Sequence, residues 1–465
     1  MKGPLSWTPL SGDTAAVRKL GVGILLAAIL FLLPAPEGLS RAGKDTLALF
    51  AVVVYFWATE TLPLPVTALG AGVGLVLLGI VASPNEAWSP YMQDTIVFLL
   101  GSLILADAVT KTNADKVLSA RILRGLGGHT DSLLLGILLA SSLPAMVISD
   151  HAVAAIMLPL VISLLRSTGL YRRHNIAAAY ILAIAFGTAV AGLATPSGGG
   201  RNVIVIGYLD ELYGVQVSYL AWAIRGVPIT LAMIPLIFLI LKFMFKVPHE
   251  EIDRTSLHLD ETRFDNRQRL TMMILGVTIL LWVTLGEHWG LGTIAIMGAI
   301  ALFAFRILDW LDTRRRITWG VPLIYGAALS MGAAMQQTGA AQWLAQTLLG
   351  LNPWQTPTAL LMAAILITFG LTQFMSDGGT TAVVAPITLA MASLASVNLA
   401  TMGMATAMAS AFSFLLVVGT PPNMIAYSSG LFTARELARA GAAVALLALV
   451  VTATAVLIYW PLLPS

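Results

Sequence analysis

Two short polar clusters, Ser149-Asp150-His151 and Ser376-Asp377-Gly378, stand between runs of apolar residues. Serine, carboxylate and imidazole are the residue types of a hydrolytic triad, but three consecutive residues cannot align nucleophile, base and orienter. The six histidines are scattered and offer neither a positioned base nor a metal-binding pair. An intramembrane enzyme is therefore disfavoured, and His151 reads as a hydrogen-bonded tip residue. Carboxylates at membrane depth have other chemistry: they hold cations, carry protons or neutralise a buried base. Arg201 is such a base, set in the apolar surroundings of Gly198-Gly199-Gly200-Arg201-Asn202. An unpaired guanidinium there costs roughly 3 kcal/mol on insertion scales, so it must find a partner. The triple glycine lacks the spacing of a phosphate-binding loop, which disfavours a nucleotide. The plainer role of Ser149, Asp150, Ser376 and Asp377 is to cap the helices that follow them.

The elements that position these residues can be read from spacing. The apolar runs flanking each cluster are too short to cross a bilayer alone, so each cluster is expected at the tip of a re-entrant hairpin, 131–165 and 356–396. Ser149, Asp150 and Pro159 match Ser376, Asp377 and Pro386 at a constant offset of 227 residues. Upstream, Val109-Thr110-Lys111-Thr112 lies against Met335-Gln336-Gln337-Thr338 at an offset of 226, and one small indel reconciles the two. Such a match in register points to an internal duplication. Beyond each hairpin a helix is interrupted, by Thr195-Pro196-Ser197 with the glycines that follow, and by Gly419-Thr420-Pro421-Pro422-Asn423. Proline and glycine release backbone carbonyls and amides there, which a membrane tolerates only where they line a polar cavity. Two tips and two breaks are expected to converge on one site near the midplane.

Composition sets the class. Hydrophobic residues make up 58% of the 465, charged residues 11%, and the mean hydropathy is +0.86, a surface no soluble domain tolerates. With no cysteines, disulfides, thiolate chemistry and Cys-ligated metals are excluded. Apolar segments at 20–34, 46–59, 62–82, 95–110, 175–209, 220–246, 270–286, 290–307, 319–338, 400–429 and 437–460 give about eleven transmembrane helices besides the hairpins. The first, from Gly21 to Leu33, has no convincing cleavage site and is read as retained. With the N-terminus placed in the cytoplasm, the inside segments hold 22 of the 26 Lys and Arg residues. The other four are Arg41, Lys44, Arg201 and Arg225. This orientation opens hairpin 131–165 to the cytoplasm and hairpin 356–396 to the outside, as an inverted repeat requires. The domains expected are an N-terminal transmembrane helix (1–45), a first repeat (46–247), a cytoplasmic linker (248–269) too short to bury a core, and a second repeat (270–465). Trp88, Trp222, Trp289 and Trp460, near span ends, read as interfacial belt residues. The net charge of +3 gathers in loops and gives no pointer to nucleic acid, and none is expected as a partner.

Together these residues resemble the divalent anion/sodium symporter family, over nearly the whole chain. That family carries a Ser-Asn-Thr signature at each hairpin tip and a Gly-Thr-Pro-Pro-Asn-like break in each of two later helices. The resemblance implies an all-α polytopic membrane protein, a homodimeric elevator in which a transport domain slides against a scaffold domain. Carried over by position, it implies substrate contacts at Ser149, Asp150, His151, Arg201, Ser376, Asp377, Gly378 and Thr420. It implies cation contacts at Ser149, Asp150, Gly198, Asn202, Ser376, Asp377, Gly419 and Asn423, with Na⁺ near Asp377 and Asn423. Both signature asparagines are aspartates here, both threonines are lost, and Arg201 has entered the first cation site. Because tip and break together form that site in the family, Asp150 is the expected partner of Arg201, which would act there as a permanently attached cation. The function implied is secondary active transport of a small anion, such as a di- or tricarboxylate, coupled to Na⁺ or H⁺ and without a cofactor. The alternatives are cation/proton antiport through Asp150 and Asp377, and anion exchange without a coupling cation; a channel is disfavoured by the discontinuous helices. The inner membrane of a prokaryote is the implied location, with the N-terminus cytoplasmic.

Overall fold

Backbone groups facing hydrocarbon have no water to bond, and the chain answers with helix almost throughout. A computed structural model describes residues 14–126, 128–253, 263–350 and 356–463. The first half runs α1 (Thr14–Leu32), α2 (Arg41–Thr59), α3 (Leu64–Leu77), α4 (Pro84–Trp88), α5 (Asp94–Thr112), α6 (Ala114–Leu126), α7 (Thr130–Ala145), α8 (Asp150–Ser167), α9 (His174–Ala191), α10 (Gly200–Tyr213) and α11 (Tyr219–Met244). The second runs α12 (Asn266–Trp289), α13 (Leu291–Ala304), α14 (Trp310–Arg316), α15 (Gly320–Gln337), α16 (Ala340–Gly350), α17 (Pro357–Thr372), α18 (Asp377–Leu394), α19 (Leu399–Ser410), α20 (Pro421–Tyr427) and α21 (Ala434–Thr454). No strand occurs among the described residues; one isolated antiparallel bridge joins His129 and Glu251.

From α2 and from α12 the order of elements is the same. Three pairs at the same place in each half match in length: α3 and α13 have 14 residues, α7 and α17 have 16, and α8 and α18 have 18. Seven helices among the described residues are long and apolar enough to cross a membrane, fewer than the eleven spans expected, and one of them is α8, whose 18 residues correct the expectation that the runs flanking each cluster are all too short to cross. The difference has a physical source. A break divides the expected span at 400–429 into the short helices α19 and α20, while at 175–209 α9 alone is long enough; α3 and α13 have 14 residues each, and 14 residues of α-helix reach only about 21 Å, short of a hydrocarbon layer of roughly 30 Å.

The chain divides into two compact units that cut across the repeated order. The first, residues 1–93 and 319–351, packs α3 and α2 against α15 and is tied internally by Tyr91 Oη donating to Ala68 O (2.7 Å) and Ser330 Oγ donating to Ala87 O (2.9 Å). The second, residues 94–318 and 352–465, holds both hairpins and both broken helices. Around them, α7 and α8 pack on α9, and α17 and α18 pack on α19. The halves also interlock: α20 lies on α8 and α9, and α10 lies on α18, where Tyr208 Oη donates to Ala382 O at 3.1 Å. Apolar on every face, α9 is buried from 176 to 191.

One expectation changes here. Trp222 and Trp460 are buried rather than interfacial, and Trp222 Nε1 donates to Leu193 O at 3.0 Å, because a broken helix leaves carbonyls that need donors. Of the linker at 248–269, the stretch 254–262 lies outside the described residues, while its start is paired to the base of the first hairpin through Thr130 N to Glu250 O (2.9 Å) and Ile252 N to Gly128 O (3.1 Å).

Candidate functional site

Each broken helix leaves main-chain carbonyls without intrahelical partners, and the two halves satisfy them in the same way. In the first, Asn202 Nδ2 donates to Gly192 O (2.9 Å) and Thr195 O (2.7 Å). In the second, Asn423 Nδ2 donates to Ser413 O (3.0 Å) and Leu416 O (3.1 Å). Donor and both acceptors correspond at a constant offset of 221 residues. Both asparagine Oδ1 atoms are buried and have no hydrogen-bond partner among the described residues. The closing helices also match, since each brings a glycine against its break. A Cβ on Gly226 of α11 would lie 2.7 Å from Leu193 O and Ala194 O, and one on Gly441 of α21 would collide with Phe414 O. Only glycine allows so close an approach.

Between break and hairpin, oxygens converge. A Cβ on Gly198 would lie 2.9 Å from Gly192 O and Met146 O and 3.2 Å from Ala145 O, while Thr195 Oγ1 donates to Met146 O. In the second half, a Cβ on Gly419 would lie 2.9 Å from Ser413 O and against Ser413 Oγ, which donates to Thr372 O. Gln373 completes the seam, its Nε2 donating to Phe412 O at 2.9 Å.

The hairpin tips meet at Arg201. Its Nη1 donates to Asp377 Oδ2 at 2.5 Å and faces Asp150 Oδ2 at 3.5 Å, and its Nη2 donates to Ala189 O at 3.1 Å. Each carboxylate gives its other oxygen to the first turn of its helix: Asp150 Oδ1 accepts from His151 N and Asp377 Oδ1 accepts from Gly378 N, both at 2.7 Å. Ser376 caps α18 by accepting from Gly379 N at 3.2 Å. Ser149 makes no such bond, and its Oγ instead pairs with His151 Nδ1 at 2.6 Å.

The Arg201 side chain is 1% exposed, whereas those of Asp377 and His151 are 16% and 37% exposed. What reaches this site therefore meets His151, Asp377, Ser149 and Ser376 before Arg201. Thr420 is buried, its Oγ1 accepting from Asn423 N at 3.2 Å. Asp150, expected to pair with Arg201, does face it, but Asp377 from the other half is nearer. Asp377, expected beside the second break, makes no hydrogen bond or ion pair with Gly419, Thr420 or Asn423 among the described residues, because the long guanidinium draws it across to the first. Thr372, Gln373 and Ser413 are absent from the sequence reading, which has Thr195 only as part of the break, although the 221-residue register marks Ser413 as the counterpart of Gly192.

Comparison with known proteins agrees with this architecture. The chain is 27% identical over 468 residues to the sodium-dependent dicarboxylate transporter SdcS of Staphylococcus saprophyticus, an alignment covering 92% of this chain and 89% of the relative. It is 27% identical over 456 residues to SdcS of Staphylococcus aureus, covering 90% and 87%. Its fold is similar to the crystal structure of the Alcanivorax borkumensis YdaH transporter, with a TM-score of 0.53 at 13% identity over 97% of this chain and 100% of that one. A family model described as the sodium:sulfate symporter transmembrane region matches residues 15–465, and the chain, a polytopic membrane transporter and not an enzyme, belongs to that family.

Proposed function

We propose that this chain is a sodium-coupled symporter of a small dicarboxylate or similar oxyanion, binding its substrate between the two hairpin tips. The observation that carries this reading is the meeting of Asp150 and Asp377, from matched hairpins, at one buried guanidinium. Each carboxylate is engaged by Arg201 and by its own helix turn, which weakens its repulsion of an anion. The exposed side offers the hydroxyls of Ser149 and Ser376, the imidazole of His151 and the N-terminal ends of α8 and α18, whose dipoles attract negative charge. Two such ends suit two carboxylates. Relatives described as sodium-dependent dicarboxylate transporters support the same substrate and ion. Antiport through Asp150 and Asp377 is less favoured, because carboxylates held by a permanently charged guanidinium are not free to alternate partners.

The finer parts belong to the same proposal: inverted repeats bounded as 46–247 and 270–465, an elevator step carried by the unit that holds both hairpins, a homodimer, and an inner-membrane location with the N-terminus in the cytoplasm. The bias of basic residues toward one set of loops supports the orientation. Uptake of radiolabelled succinate into proteoliposomes, under an inward Na⁺ gradient or an inward H⁺ gradient, tests the function. The expected result is accumulation above the equilibrium ratio with Na⁺ and none when choline replaces it. Uptake of succinate, citrate and sulfate that is indifferent to Na⁺ would overturn the proposal.

A further inference from the structure

The two breaks are built alike but charged differently. In the first, the carbonyls of Ala145, Met146 and Gly192 converge on Gly198; in the second, Ser413 O and Oγ lie against Gly419, with Oγ donating to Thr372 O of the hairpin; in each, the Oδ1 of the asparagine that bridges the break is buried with no donor among the described residues. The carbonyls of Gly192, Met146, Ser413 and Thr372 each accept one hydrogen bond and keep a second lone pair, and these with the donorless Oδ1 atoms are the oxygens that unwound backbone in a membrane offers an alkali cation. In the first cage a positive charge is already present. A Cβ on Gly192 would lie 2.9 Å from Arg201 Nη2 and 3.1 Å from Asp150 Oδ2, and one on Gly199 would lie 3.2 Å from Arg201 Cζ and 2.9 Å from Gly192 O. The guanidinium thus lies among the carbonyls of the first break, with Ala189 O accepting from it. At the 221-residue register, the counterpart of Arg201 in the second cage is Pro422, which brings no charge.

We infer that Arg201 is a built-in substitute for one coupling cation, so that only the cage around Asn423, Ser413 and Gly419 takes up a mobile Na⁺. The inference rests on the proposed sodium coupling and specifies how many ions serve it. Its consequence is a first cage that cannot empty during the cycle and a cation requirement reduced by one. The closed position of Arg201, shut away from the exposed face of the tips, fits a fixed counter-charge better than a substrate clamp.

Binding of Na⁺ to the folded chain raises its melting temperature by mass action, so ion binding is measurable without any substrate. The melting temperature of the purified full chain is followed against NaCl, with choline chloride holding ionic strength constant, for the wild type, Asn202→Ala and Asn423→Ala. The two variants lose equivalent backbone hydrogen bonds, so a difference between their Na⁺ responses reports ion binding rather than packing. The expected result is a saturable rise with the concentration dependence of one ion, kept in Asn202→Ala and lost in Asn423→Ala. A two-ion dependence in the wild type, equal loss in both variants, or no Na⁺ response in the wild type would overturn the inference. Arg201→Ala, where it folds, is expected to convert the response to two ions. A one-ion response in a protein that transports no dicarboxylate would leave the inference standing and remove the substrate reading alone.

Discussion

Asp131, in the first turn of α7, anchors the base of the first hairpin. Its carboxylate accepts from Lys242 Nζ of α11 and pairs with His249 Nδ1, both at 2.7 Å. Burial alone would raise its pKa, but the hydrogen bonds from Lys242, His249 and Ser132 N–H and the charge of Lys242 outweigh it and bring the value down from 3.8 to about 2. A folded-state pKa below the unfolded one stabilises the protein at pH above about 4, and the contribution is lost as the pH falls toward about 2. Asp131→Asn should therefore lower the melting temperature at pH 7 and flatten its decline below pH 4; a variant with the wild-type acid profile would refute this. Arg201 shows what a sequence does and does not disclose about one residue. Its burial and its need for an acidic partner follow from an arginine in apolar surroundings. Its choice of Asp377, 176 residues away, does not, because which half's carboxylate comes nearer is decided by how the hairpins interlock.

Whole elements were legible where a pattern repeated. At 131–165 and 356–396, where hairpins are expected, the chain forms α7 with α8 and α17 with α18, each pair joined at the matched serine and aspartate. The two breaks were legible from glycine and proline, which cannot continue the backbone ladder. The short helices α6 and α16 were not. Lys116, Arg121 and Arg124 lower the hydropathy of α6 to that of a loop, although its buried positions Ala114, Val117, Ala120 and Leu123 recur at helical spacing. The close approach of α11 to the first break was also hidden, because a single glycine in an apolar run carries no mark of what it touches. Gly226→Leu should drive a side chain into Leu193 O and Ala194 O, backbone atoms that cannot yield, at a cost of about 1–3 kcal/mol or more. Gly441→Leu should do the same at Phe414. Gly276→Ala in α12 meets nothing within 4 Å and should be neutral or stabilise by roughly 0.5–1 kcal/mol. Equal recovery of all three variants as monodisperse protein in detergent, with equal melting temperatures, would contradict this account of the breaks.

At the scale of the whole molecule, composition made the membrane class plain, and the repeated order of elements supports two halves of common design. Division into compact units was not legible, because it joins α15 and α16 of the second half to α1 through α4 of the first. Sequence neighbours are thereby parted and distant segments united, a choice made by packing rather than by any local signal. The central claim is that hairpins from both halves build one substrate site. The cysteine-free sequence allows a direct measurement. Val147 and Phe374 correspond at the 227-residue offset and stand just before the two tips, outside the proposed binding set. Val147→Cys and Phe374→Cys, each the sole cysteine in the chain, are reconstituted and labelled with a maleimide in the presence of Na⁺ or choline, with and without succinate. The account predicts that succinate with Na⁺ slows labelling at both positions several-fold and that succinate with choline slows neither; protection at one position alone, or at neither, would contradict it.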